Sequence, residues 1–252
     1  DALPISLHVQ FINFLKDLSR LDFGMSLSQQ RPAIQGVLAV MPRTLALIAL
    51  SILLMLFVSL ILGSLAALKP FSRRDNIITF ISLGLTSLPD FWLALIGVLV
   101  FAVKFRVLPT SGMSGVKSWI LPLVTLGIPP SGSMIQVVRG AMIEALNSSY
   151  VQNAKARGFS KTRLAFRHAL RNAALPIITV AGDRAVHLFN GTIIVGAVFA
   201  WPGIGRTIIQ AVMVRDFALL QASLFVTGVT IILLNIVIDI IYSIIDPRVR
   251  VS

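Results

Sequence analysis

Cysteine is absent from the 252 residues, which excludes disulfides, thiolate metal sites and cysteine nucleophiles. Histidine is scarce: His8, His168 and His187 stand far apart, so the H-E-x-x-H pattern of a zinc protease is missing. No G-x-x-x-x-G-K-[ST] loop is present to cradle a nucleotide, and ATP hydrolysis is therefore not expected of this chain. Charge is also sparse, at 13% of residues, and acidic residues number 10 against 22 basic ones. The opening Asp1-Ala2-Leu3-Pro4 is not followed by the basic and apolar regions of a signal peptide, so the chain is expected to begin partway through a longer protein.

What fills the sequence is apolar. Hydrophobic residues make up 56% of it and the mean hydropathy is +0.88. Stretches long enough to cross a hydrocarbon core of roughly 30 Å recur along the chain, which points to an all-α, polytopic membrane protein. A net charge of +12 would suit nucleic acid if it lay on one face of a soluble fold. Here the basic residues sit in short loops flanking apolar runs, where retention on the cytoplasmic side explains them. Lipid is the expected surroundings and nucleic acid is not an expected partner. About five spans are predicted, near 43–68, 77–103, 118–139, 174–200 and 217–245. The third contains Pro129-Pro130 with Gly127 and Gly132 nearby, so a kink or break is expected there.

Alternate loops differ in basic content. Lys69, Arg73 and Arg74, the run from Arg139 through Lys155, Arg157, Lys161, Arg163, Arg167 and Arg171, and Arg248 with Arg250 are assigned to the cytoplasm. The segment before Met41, the loop with Lys104, Arg106 and Lys117, and the loop Trp201 to Asp216 face outward. Residues 1–42 then form an outer segment and 43–245 a transmembrane domain, with a cytoplasmic loop at 140–174 and a tail at 246–252. An odd number of spans puts the N-terminus outside, so an earlier span is expected to precede it. Within the outer segment, Val9, Phe11, Ile12, Phe14, Leu15, Leu18 and Leu21 form a partial stripe among Gln10, Lys16, Asp17 and Arg20, as in an interfacial helix.

The 140–174 loop reads as helix, turn, helix. Gly158 suits the end of a first helix near Arg157, and Ser160 can cap a second that runs to Asn172 and is stopped by Pro176. Arg163, Arg167 and Arg171 recur every four residues, stacking like charges that need an anionic surface. Lipid headgroups and an acidic groove on a cytoplasmic protein both meet that need.

The residues Tyr150-Val151-Gln152-Asn153-Ala154-Lys155-Ala156-Arg157-Gly158-Phe159-Ser160, followed by Arg167-His168-Ala169-Leu170-Arg171-Asn172-Ala173-Ala174-Leu175-Pro176, resemble the EAA loop of binding-protein-dependent ABC permeases of the dipeptide/oligopeptide/nickel branch. Asp22-Phe23-Gly24 with Ser26 and Arg31-Pro32 are similar to that branch too. So are Leu88-Pro89 with Phe91-Trp92-Leu93-Ala94, Phe199 to Arg206, and Asp246-Pro247-Arg248. The resemblance covers nearly the whole chain and implies a type I importer permease fold whose usual first span is missing from these residues. It implies a bacterial inner-membrane subunit that is not catalytic alone. Expected partners are a second homologous permease, one or two cytoplasmic ABC ATPases that bind the ATP and Mg, and an external substrate-binding protein. No cofactor is expected in this chain.

The resemblance makes Gln152, Asn153, Ala154, Lys155, Ala156, Arg157 and Gly158 the ATPase-coupling segment. Small Ala154 and Ala156 permit close approach, Gly158 a tight turn, and Lys155 and Arg157 can pair with carboxylates or helix C-termini. A plain C-cap and helix-forming alanines would account for the same residues. Two departures stand out: Gln152-Asn153-Ala154 replaces Glu-Ala-Ala, and Gly196 occupies a place where relatives carry an acid. The branch implies peptides or nickel or metal chelates as cargo, with Gln29-Gln30-Arg31-Pro32 and Ala200-Trp201 leaning toward the nickel-type members.

Asp183, Arg184 and His187 fall inside the fourth span, with Asn190 and Gly191 beyond them. Ionisable groups at that depth pair with one another, line a pathway, or hold a proton or metal. One histidine with one carboxylate is a weak metal signal, so no metal site is assigned. Asp90, after Pro89, is a further pathway candidate, whereas Asp239, with Asn235, reads as boundary or interhelix glue. In the outer loop, Trp201, Pro202, Gly203 and Arg206 combine a rigid turn with an aromatic anchor and suit a contact for the external protein, a lid over the cavity or an interfacial turn. The competing function is a stand-alone secondary carrier or channel built on Asp183, Arg184 and His187.

Overall fold

The computed structural model describes residues 7–149, 151, 153 and 169–245. Its regular elements are helical: α1 Leu7–Ser19, α2 Ala33–Ala67, α3 Arg73–Thr86, α4 Asp90–Gly97 continued by a π-helical turn Val98–Lys104, α5 Lys117–Asn147, α6 Leu170–Phe199, α7 Ile204–Met213 and α8 Phe217–Ile245. Three of these, α2, α5 and α8, are long and apolar enough to cross a membrane alone. Two bent pairs, α3 with α4 and α6 with α7, raise the total to five by length and composition.

The five expected stretches are therefore present, but two are not single rods. The second bends by 94° between α3 and α4. Proline disfavours a helical residue before it and lacks the N–H that would continue the ladder, so Leu88-Pro89 ends one helix and starts the next. The fourth is followed by α7 at 67°, where a loop was expected. Ile204, Gly205, Thr207 and Ala211 are buried at helical spacing, and Thr44 Oγ1 accepts from the Ile204 N–H at 2.8 Å, capping α7 from α2.

Proline acts differently where packing holds the chain. Of the kink or break expected at Pro129-Pro130, no break occurs: α5 runs unbroken through Pro122, Pro129 and Pro130 and on to Asn147. The cause is backbone contact with its neighbours. A Cβ on Gly132 would overlap Ser82 O and Thr86 Oγ1 of α3, and one on Gly127 would stand 3.0 Å from Ser51 O of α2. Such close approach supplies the dispersion contacts that join helices in lipid. Pro176 likewise lies inside α6 and does not stop it.

Buried side chains form two clusters. Val37, Leu47, Leu126, Phe199, Trp201, Ile204 and Leu219 belong to one, and Met55, Met134, Val138, Met142, Val151 and Ile177 to the other. Elsewhere α2 and α8 present exposed Phe57, Ile232 and Ile240, as lipid-facing surfaces do. On α1, Val9, Phe11, Ile12, Phe14 and Leu15 are exposed.

Candidate functional site

The bend at Leu88-Pro89 leaves space beside α5 and α6, a cavity of about 390 Å³. Thr86, Leu88 and Asp90 close one side, Pro129, Pro130 and Ser133 another, and Arg184, His187, Asn190 and Gly191 the third. The two prolines of α5 donate no hydrogen bond to the carbonyls of Thr125 and Leu126, which keeps polar backbone near the cavity wall. Gly191 permits the close approach: a Cβ there would overlap Leu126 and stand 4.0 Å from Asp90 Oδ2.

Three of the four sequence-predicted pathway residues, Asp90, Arg184 and His187, thus meet at one cavity. Asp183 does not line it. It is 67% exposed, with Oδ2 3.8 Å from His187 Nε2, too long for the hydrogen bond that their spacing allows. Asp183 and His187 are thus an (i,i+4) charge pair across one turn, while Arg184, whose Nε is buried without an acceptor, takes no part in it. Among the described residues no group of three or more His, Cys, Asp or Glu is placed to hold a metal. Asn235 and Asp239 are exposed, so they make no glue within this chain.

The turn from Phe199 to Arg206 also departs from expectation. Trp201 is 1% exposed, with its ring edge-on to Trp119 at 4.6 Å between centroids, and Gly203 is buried beneath it. Trp201 is a core residue and not an interfacial anchor or external contact, because the bend into α7 folds it inward. Pro202 and Arg206 are half-buried, and an Arg206 guanidinium nitrogen donates to Ala200 O at 2.9 Å, closing the turn. Gly196 has a steric reason: a Cβ there would overlap the Arg206 backbone nitrogen.

Two clasps escaped the sequence reading. In the first, Arg139 of α5 grips Asp75 of α3 with both ends of its fork, Nε to Oδ1 at 2.5 Å and Nη2 to Oδ2 at 2.7 Å. Asp75 is 1% exposed and also accepts from the Phe71 N–H at 2.7 Å. In the second, fully buried Asp216 accepts from Ser26 Oγ at 2.6 Å, and from Ser28 N–H and Oγ at 2.9 and 2.8 Å. Its other oxygen accepts from the Leu219 N–H at 3.1 Å, capping α8. Burial alone would push its carboxyl up, but these donors outweigh it and hold the pKa down to about 2. The signals were present in the sequence: Ser72 three before Asp75, and Asp216 just ahead of an apolar run, are helix-start patterns.

Of the expected coupling segment, only Asn153 lies among the described residues, where it is helical and exposed. Gln152, Ala154, Lys155, Ala156, Arg157 and Gly158 lie outside them, as do Ser160, Arg163 and Arg167. The described parts flanking this loop are the end of α5, carrying Arg139 and continuing to Asn147, and the start of α6 at Leu170.

Comparison with known proteins places the chain. The family described as binding-protein-dependent transport system inner membrane component matches residues 59–251. The oligopeptide transport system permease protein AppB of Bacillus subtilis is 32% identical, over 96% of this chain and 80% of its own length. The dipeptide permease protein DppB of Haemophilus influenzae is 35% identical, over 91% and 77%, and the glutathione permease protein GsiC of Escherichia coli 32% identical, over 99% and 81%. Among solved structures, the inward-facing MetNI methionine ABC transporter superposes with a TM-score of 0.68 at 18% identity, covering 81% of this chain and 93% of that one. An amino acid ABC transporter solved with histidines gives 0.61 at 14% identity, covering 95% and 99%. The fold is that of an ABC importer permease, and the chain belongs to the family of binding-protein-dependent transport system inner membrane components, the non-catalytic membrane subunits of such importers.

Proposed function

We propose that this chain forms half of the substrate path of an ATP-driven peptide importer in a bacterial inner membrane. The observation that carries the reading is the polar cavity at the bend of the second span, where Asp90, Arg184 and His187 meet at membrane depth. Intramembrane ionisable groups are costly and are placed where a path or partner uses them. A second homologous permease supplies the other half, an external binding protein delivers cargo, and one or two cytoplasmic ABC ATPases hold ATP and Mg. Peptides are favoured over nickel or metal chelates because relatives covering most of the chain are named for oligopeptides, dipeptides and glutathione.

Coupling is assigned to Gln152 through Gly158. The Asp75–Arg139 clasp supports this, since Arg139 stands on the same helix that leads into the 140–174 loop and ties it to α3, one wall of the cavity. Movement of the loop is then carried to the bend by a packed helix rather than a flexible linker, and alternating access follows as the ATPases close and part.

The test replaces Ala154 with Trp in the reconstituted transporter. Import is expected to fall by an order of magnitude while ATP hydrolysis loses its stimulation by cargo. A stand-alone carrier using Asp183, Arg184 and His187 needs no docking segment, so unchanged import by the Ala154→Trp variant would overturn the reading.

A further inference from the structure

Arg184 stands midway along α6, roughly 20 Å from either end of the helix, and so at the depth where a charge is most costly. Its Nε is shielded from solvent and donates to no acceptor. Among the described residues it forms no ion pair, although Asp90 lines the same cavity. The places that the two charges occupy beside α6 are offset along the helix. Gly191, beside the Asp90 carboxylate, lies two turns beyond Arg184 on the same face of α6, about 10 Å along its axis. His187 and Leu188 fill the turn between, and Ser133 faces them from α5.

A cation and an anion anchored about two helical turns apart, in a cavity within the size range of small-ligand sites, match a small molecule carrying opposite charges at its two ends. A tripeptide in extended form separates its termini by about 10 Å, and a dipeptide by somewhat less. We infer that the cavity is a station for short peptides with both ends free, in which the Arg184 guanidinium takes the C-terminal carboxylate and the Asp90 carboxylate takes the N-terminal ammonium. The proposal rests on the reading that this cavity faces the substrate path. It gives Arg184 the anion its buried Nε lacks, and a planar guanidinium suits a carboxylate better than an ammonium would. It also orients the cargo, carboxylate end deeper toward the cytoplasm, because α6 runs from the basic loop outward and Gly191 follows Arg184.

The natural absence of cysteine provides the experiment. Ser133→Cys is introduced in the assembled transporter, and its labelling by a water-soluble maleimide is followed with trialanine, its C-terminal amide and its N-acetyl form as protectants. Trialanine is expected to slow labelling, with each blocked form needing about tenfold higher concentration, as for a lost charge-assisted hydrogen bond. Arg184→Gln should erase the difference between acid and amide, Arg184→Lys should retain part of it, and Asp90→Asn should erase the difference between free and acetylated amine. Labelling without protection by trialanine, or equal protection by all three peptides, overturns the station while leaving the cavity on a water-filled path. No labelling in any nucleotide state overturns the path reading itself, and the station with it. The peptide comparison runs on unaltered Arg184 and Asp90, so it decides even if a charge variant fails to fold.

Discussion

Replacing Asp216 with Asn should free the segment that carries Ser26 and Ser28 from the bundle. The side chain keeps its size, but its charge is lost, and an amide NH2 group faces the Ser26, Ser28 and Leu219 donors that now converge on the carboxylate. A carboxyl held near 2 instead of its ordinary 3.8 corresponds to about 2 kcal/mol favouring the clasped state at neutral pH. That is roughly a thirtyfold change in the clasped-to-open ratio. Hydrogen exchange reads it directly, because the Ser28 and Leu219 amides both donate to this side chain. Their exchange should accelerate about thirtyfold in the variant, while amides of α5 around Met134 stay unchanged. Because the folded-state pKa is depressed, the stabilisation is complete above about pH 4 and is lost as the pH falls through 3.8 toward 2. The parent protein should therefore loosen in that window, after correction for intrinsic rates, and the variant should show no further change. Equal exchange of Ser28 in parent and variant at pH 7 would refute the clasp.

Two further outcomes follow from the packing. Asp75→Asn leaves Arg139 without its anion and should lower stability in detergent by about 2–3 kcal/mol, less than a fully buried pair because Arg139 keeps 22% of its side chain exposed. Thermal unfolding measures it, part should return in the reversed pair Asp75→Arg with Arg139→Asp, and an unchanged melting point would count against the clasp. Gly132→Ala drives a methyl into the α3 backbone and should cost about 1–3 kcal/mol. Gly140→Ala, where nothing lies within 4 Å, should be neutral or stabilise by up to about 1 kcal/mol, and the same melting assay separates the two.

Much of this architecture is legible in the sequence because lipid imposes a simple rule: each crossing needs a long apolar helix. The five stretches follow from it. What the rule does not determine is how proline acts. At Leu88-Pro89 it turns the chain by 94°, whereas Pro129-Pro130 stays inside one continuous helix. The difference lies in Gly127 and Gly132, whose bare backbones lock α5 against α2 and α3, a long-range contact with no local signature. Trp201 misled for a related reason. Aromatic residues in outer turns sit at the membrane surface unless the next helix folds back over them, and here the spacing of Ile204, Thr207 and Ala211 was the available sign that it does. The cavity residues were identifiable as costly charges in an apolar span, but their grouping was not. Asp183 and Arg184 are adjacent in sequence, yet only Arg184 lines the cavity, because successive helical residues point some 100° apart.

A single cysteine at Arg157 tests most directly whether ATP-binding partners drive this chain. In membranes holding the assembled importer, it should crosslink specifically to the ABC ATPase, and the yield should change when nucleotide is trapped. Free labelling of that cysteine by a water-soluble reagent, with no protein adduct under any nucleotide condition, would contradict coupling through Gln152 to Gly158.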